Sequence, residues 1–422
     1  MNALSQRSSV FLLSMIGFFD RIIYYGLRAI IVLYAIDVFG MDRVDVLSSY
    51  GLLTTLIVVL PLPFGWLTDV VLGQKKAIVV GSLLSLAGCL CLFIPQWSTT
   101  MMGMLLVVLG SSFVSPNVKV LVGRLFDKKD QGRVLGFTML FVFINLGSFL
   151  AVMSIGFVGE VYGWQWGFGI AALSSLLMLL FFLATQNRLD LAEVAVQESA
   201  YEEGDHETDI LDVPPTQSHP PVSSSLPVVL LVTGISIFFY TFYGAVTDVQ
   251  MTGFSMYENV HLFGSQLSYS ALANIAWSAS PIAMLLFLLI WSFTKVGSSI
   301  AKFGWALLLL GAVAIGTLLL PSFSEQTILL YTFLGLFLIG MAETFISPVL
   351  TSYITRISSV QYASTYYGLF LLLSFLAPKL LSLLPLDFLY NNVLVMGGIL
   401  LCAGAALLFW KKHIFRLANG ID

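Results

Sequence analysis

Five side chains near the start of the chain are of kinds that a lipid-buried helix excludes unless they have work there. Asp20, Arg21, Tyr24, Tyr25 and Arg28 fall inside the apolar run 8–36, and a charge at the bilayer centre costs at least about 2.5–3.5 kcal/mol on insertion scales. Counted from Arg21, the two tyrosines stand at i+3 and i+4 and Arg28 at i+7, so guanidiniums and phenols share one helix face. A guanidinium forks onto carboxylates and other oxyanions. The chemistry this face suits is anion recognition in a polar cavity. Another deep carboxylate, Glu343, lies about 16 residues into the run 327–354. A plain Asp20–Arg21 pair is the simpler reading; Arg28 and an acid in the other half make a cavity site the better one.

What must position these groups is a membrane bundle. Of 422 residues, 58% are hydrophobic and 10% charged, where a soluble domain carries about a quarter charged. Mean hydropathy is +0.94. So much apolar surface is covered only by lipid or by other helices. Apolar runs long enough to span occur near 8–36, 47–70, 77–96, 99–122, 135–158 and 164–186, then 227–249, 267–292, 299–320, 327–354, 363–385 and 389–410. The expected fold is all-α, twelve transmembrane helices in two six-helix bundles, 1–186 and 227–422. Between them, 187–226 is acidic and Pro-rich, with Pro214, Pro215, Pro220 and Pro221, and reads as a flexible cytoplasmic linker. No cleavable signal is expected, because the polar start runs straight into span 1.

Lysine and arginine set the orientation. Loops after the even-numbered spans, with the tail, hold Lys75, Lys76, Arg124, Lys128, Lys129, Arg133, Arg188, Lys295, Lys302, Arg356, Lys411, Lys412 and Arg416, whereas the opposite loops hold Arg43. Both termini are therefore expected in the cytoplasm. A net charge of −4 suggests no nucleic-acid partner. Cys89, Cys91 and Cys402 lie in apolar runs without metal-ligand spacing, no nucleophile–base pair appears, and neither an enzyme nor a cofactor is expected. His206, His219, His261 and His413 lie in loops or the tail, leaving Asp20 and Glu343 as deep titrating groups.

Several strings resemble the proton-coupled oligopeptide transporters within the major facilitator superfamily. The family's E-x-x-E-R-F-x-Y-Y-G is echoed by the ten residues from Gly17 through Asp20, Arg21, Tyr24 and Tyr25 to Gly26, with Arg28 beyond. The loop after span 2, Gly65-Trp66-Leu67-Thr68-Asp69 through Gly73 to Lys75-Lys76, is similar to a facilitator loop motif. Further echoes are Ser115-Pro116-Asn117-Val118, Asn145-Leu146-Gly147, Tyr162-Gly163-Trp164 and Glu343 with Ser347-Pro348. The resemblance implies proton-driven uptake of di- and tripeptides through Arg21, Tyr24, Tyr25, Arg28, Lys119, Asn145 and Glu343, with Asp20 and Glu343 coupling the proton. It implies a gate at Asp69, Lys75 and Lys76, a monomer, and a bacterial inner membrane.

The chain also departs from the pattern. Gly17 stands where the first acid would, and Asp20 is shorter than glutamate. On span 4, lysine and serine exchange places, giving Ser115 and Lys119; Lys119, one turn nearer the cytoplasm, either reaches back into the cavity or snorkels to the interface. Span 7 reads Phe239-Tyr240-Thr241-Phe242-Tyr243-Gly244 without its acid, and Asp248 belongs to the outer end or to the cavity. Lys379 has no assigned role. A transporter of a non-peptide organic anion, and a non-transporting receptor whose linker recruits a partner, remain alternatives.

Overall fold

The computed structural model describes residues 3–126, 132–204, 222–255, 261–262, 265–266, five positions between 279 and 286, 299–318, 325–381 and 392–419. In chain order the helices are α1 (Ala3–Phe39), α2 (Arg43–Val59), α3 (Pro61–Leu67), α4 (Gln74–Cys91), α5 (Trp97–Arg124), α6 (Arg133–Ala151), α7 (Phe157–Tyr162) and α8 (Trp164–Gly204). The second half adds α9 (Val222–Ser255), α10 (Ser299–Gly316), α11 (Glu325–Ile357), α12 (Ala363–Leu381) and α13 (Val393–Asn419). Two-residue strands β1 (His261–Leu262) and β2 (Ser265–Gln266) pair antiparallel in a loop. Eleven of the twelve expected spans coincide with described helices. The other, 267–292, lies largely outside the described residues.

Local chemistry explains the helix ends. Gly40, at φ +59, stops α1 and donates its N–H to the Ile36 carbonyl. The Asp42 carboxylate caps α2 by accepting from the Val44 N–H at 3.1 Å. Pro61 cannot donate to the α2 ladder, and α2 and α3 form one apolar pair bent by 41°. A π turn follows at Thr68–Leu72, closed by Gly73 N–H to the Thr68 carbonyl, and it carries Asp69. Past the apolar run that ends at 186, α8 continues as helix to Gly204. Residues 187–204 are rich in Ala, Glu and Leu, good helix formers that need no lipid to stay helical. The Pro-rich remainder, 205–221, lies outside the described residues.

The chain divides into two compact units. One comprises Met1–Thr233 with Thr351–Leu373, the other Gly234–Leu350 with Ser374–Asp422. The Thr351–Leu373 ends of α11 and α12 belong to the first unit. Within that unit α1 is central, with Leu13, Ile16, Ile23, Leu27 and Ile30 fully buried. Lipid gives helices no hydrophobic reason to associate, so close approach depends on small residues. A Cβ on Gly147 of α6 would stand 2.4 Å from the Phe18 carbonyl oxygen of α1. Gly88 and Gly103 play the same part between α4 and α5, as do Gly304 and Gly404 between α10 and α13. Leu83, Leu90, Leu173, Leu180 and Phe409 remain exposed, the surface a bilayer would cover.

Candidate functional site

The tight α1–α6 crossing places the ionic face of α1 toward α5. Asp20, 2% exposed, pairs with Arg21 at 3.2 Å and accepts from the Ser111 hydroxyl at 3.2 Å. The same Arg21 terminal nitrogen donates to Ser115 Oγ at 2.6 Å. Lys119 Nζ reaches back one turn to the same hydroxyl at 2.8 Å and to the Ser115 carbonyl at 3.1 Å. Its ammonium lies 5.8 Å from the Tyr367 ring centroid. Lys119 is 6% exposed and turned inward. Of the two sequence readings, the structure has the one in which it joins the polar cluster.

The aromatic face is continuous with this cluster. Arg21 and Arg28 lie 5.9 and 5.8 Å from the Tyr25 ring centroid. Arg28 Nε donates to the Tyr50 hydroxyl of α2 and lies 5.6 Å from that ring. Tyr24 is buried and packs edge-on against Tyr25 at 5.2 Å. Asn145 is not drawn into the network, since its amide donates to the Phe141 carbonyl of its own helix at 2.9 Å. Ser111, Tyr50 and Tyr367 were not anticipated. A serine one turn above Ser115 and a tyrosine early in span 2 resemble any other membrane residue until the fold sets them against Asp20 and Arg28.

Glu343 lies in the second unit, where Tyr243 donates to its Oε2 at 3.1 Å. One turn along, the Tyr240 and Ser347 hydroxyls are 2.7 Å apart. The span 7 string that lacks its acid supplies two phenols instead, and one of them holds the carboxylate of α11. Lys379 of α12 is exposed, and the Asp248 side chain lies outside the described residues.

A third constellation belongs to the first unit. Asp69 accepts from the Ser364 N–H at 3.2 Å, the Thr365 N–H at 2.7 Å, the Thr365 hydroxyl at 2.8 Å and the Gln74 amide at 3.0 Å. It is thus a carboxylate set on the open N–H groups that begin α12, where the helix dipole favours negative charge. Ser364 Oγ donates to Asn117 at 2.9 Å. Asp69, expected to form a charge cluster with Lys75 and Lys76, thus also holds the start of α12. Buried Arg133 donates to the Gly123 and Phe126 carbonyls ending α5, and to the Ser352 carbonyl and Thr355 hydroxyl near the end of α11. The sequence signal for the α12 half was Ser364-Thr365 just before an apolar run, a helix-start pattern.

A cavity of about 300 Å³ lies elsewhere in the first unit, lined by Tyr34, Phe93, Trp164, Trp166 and Phe168 among others. None of the expected site residues lines it. The Trp164 indole donates to Asp37 at 2.8 Å and packs edge-on against Tyr34, an anchoring arrangement. The three cysteines are free thiols. Among the described residues no group of His, Cys, Asp and Glu could hold a metal.

Comparison with known proteins fits this architecture. The chain is 33% identical over 188 residues to an uncharacterized transporter of Bacillus subtilis. It is 31% identical over 173 residues to a di-/tripeptide transporter of Lactococcus lactis, and 32% over 192 residues to a peptide transporter of Yersinia enterocolitica. Those matches cover 42%, 39% and 43% of this chain and 38%, 35% and 37% of the relatives, so the aligned part spans little more than a third of their length. The fold matches a peptide transporter crystallised with sulfate, at a TM-score of 0.61 and 24% identity, over 97% of this chain and 95% of the other. The family model described as Major Facilitator Superfamily matches residues 10–380. The chain is a multi-pass integral membrane protein that belongs to the Major Facilitator Superfamily.

Proposed function

We propose that this protein imports di- and tripeptides, or a similar carboxylate-bearing solute, by alternating access coupled to protons. The observation that carries the reading is the Asp20–Arg21 pair linked through Ser115 to Lys119, with Tyr25 shared between Arg21 and Arg28. Cationic donors converging on one helix face suit a carboxylate. The relatives named as peptide transporters support the same substrate class. Proton coupling is assigned to Asp20 and Glu343, the deep carboxylates, with no cofactor beyond the proton. The protein acts as a monomer in a bacterial inner membrane, with both termini and the 187–226 linker in the cytoplasm. Facilitated transport of a non-peptide organic anion is the second reading, favoured by Gly17, by Ser115 in place of a lysine and by the missing span 7 acid. Counterflow in proteoliposomes separates the two: peptides should compete with labelled dialanine, and small dicarboxylates should not. Counterflow of a labelled dicarboxylate with no counterflow of dialanine would favour the second reading.

Asp69 serves this cycle as a releasable hold on the start of α12. A cap of this kind contributes about 0.5–2 kcal/mol. Asp69→Ala should therefore speed amide exchange at Ser364 and Thr365 roughly two- to thirtyfold, and slow counterflow. Unchanged exchange at those amides would remove Asp69 from the gate.

A further inference from the structure

We propose that the cavity between the end of α1 and the start of α8 holds the ammonium headgroup of a zwitterionic phospholipid. It lies where the spans stop: Tyr34 and Val38 end α1, Phe93 follows α4, and Trp164 and Trp166 begin α8. Tryptophan and tyrosine at span ends mark the membrane–water boundary, so the site sits at headgroup depth. Its volume of about 300 Å³ is at the low end for small-ligand sites. The acyl chains need no room inside. Val38, Phe93, Tyr162 and Trp166 on the lining are themselves exposed, and Leu90, Ile94 and Leu173 of the same segments present further apolar surface. Apolar surface of this kind beside the cavity favours an amphiphile over a soluble cation.

The walls suit a positive charge. Tyr34 stands at 67° to Trp164 and at 89° to Phe168, with ring centroids 5.9 and 5.0 Å apart, and Phe93 stands at 72° to Phe168. Rings set nearly at right angles turn negatively polarised faces in more than one direction, and such faces attract ammonium groups within about 6 Å. Exposed Asp37 accepts from the Trp164 indole through Oδ2 at 2.8 Å, and its Oδ1 has no hydrogen-bond partner among the described residues. The segments that form this end, 33–45, 92–97 and 157–166, carry Asp37, Asp42, Asp45 and Glu160 against Arg43, a balance that disfavours anionic headgroups. Gln165 and the Trp166 indole, both on the lining, carry N–H donors for the phosphodiester.

The assignment is independent of the transported solute. Native mass spectrometry of the full chain would follow binding of palmitoyl-oleoyl-phosphatidylethanolamine and of the matching phosphatidylglycerol to wild type, Asp37→Asn, Trp166→Leu and Trp305→Leu. Asparagine keeps an acceptor for Trp164 while removing the charge, and Trp305, exposed on α10, does not line the cavity. Ethanolamine-lipid binding should weaken about tenfold in D37N, as for a lost hydrogen bond to a charged group. It should weaken about threefold or more in W166L and stay unchanged in W305L. Glycerol-lipid binding should be weaker in wild type and should not fall in D37N. Equal wild-type affinity for the two lipids, no loss in D37N, or a loss in W305L as large as in W166L would overturn the site. Displacement of the lipid by free ethanolamine would make the occupant a soluble amine and overturn the lipid assignment.

Discussion

Replacing Arg21 by lysine should lower counterflow by about 100-fold or more while the protein remains folded and monodisperse. One terminal nitrogen of Arg21 engages Asp20 and Ser115 together, and the guanidinium also faces the Tyr25 ring. A lysine keeps the charge but presents a compact ammonium on a flexible stem. Its nitrogen sits on a shorter stem than the one that meets Asp20 and Ser115 together, and it gives up the guanidinium plane that faces Tyr25. Losing one to two charge-assisted hydrogen bonds at about 1.5–3 kcal/mol each gives an effect of that size. Arg21→Ala is the harsher change, because it leaves Asp20 buried without its partner, a loss of about 3–5 kcal/mol. That variant is expected to fail in folding as well as in transport, so lysine is the informative substitution. The check is the initial rate in proteoliposomes beside a size-exclusion profile; an R21K rate within threefold of wild type would contradict the assignment.

The second large effect is expected at Glu343. Glutamine preserves the size of the side chain and its acceptance of the Tyr243 hydroxyl bond, but it cannot take up or release a proton. If Glu343 carries the coupling proton, Glu343→Gln should abolish accumulation driven by a pH gradient and leave substrate exchange close to wild type. The pH dependence should flatten in the same variant, since the group that titrates is gone. Full accumulation in E343Q would move the coupling role to Asp20 alone. Loss of exchange and accumulation together would instead make Glu343 a binding group.

The membrane class, the helix positions and the ionic face of α1 were legible because they rest on composition and on spacing within one helix. Arg21, Tyr25 and Arg28 share a face by helical geometry alone, and the fold adds only what they face. What could not be read was pairing across helices. Ser111 and Ser115 become meaningful only when α5 packs beside α1 and sets them against Asp20 and Arg21. Lys119 shows the same limit: its spacing allowed either the cavity or the interface, and burial beside Tyr367 decided between them. Asp69 was expected among lysines because the local sequence offers Lys75 and Lys76. Beside its local partner Gln74 it also accepts from backbone N–H groups 295 and 296 positions away in the chain, which no local pattern specifies.

The central claim is that a buried ion pair and an anion-seeking donor set serve proton-driven peptide uptake. Its most direct test is uptake of labelled dialanine into proteoliposomes, with an inward proton gradient and with that gradient collapsed by an ionophore. Accumulation above equilibrium that disappears with the ionophore is the predicted result. Equilibration of the peptide without accumulation would contradict proton coupling, and no uptake by protein shown to be folded would contradict the peptide reading itself.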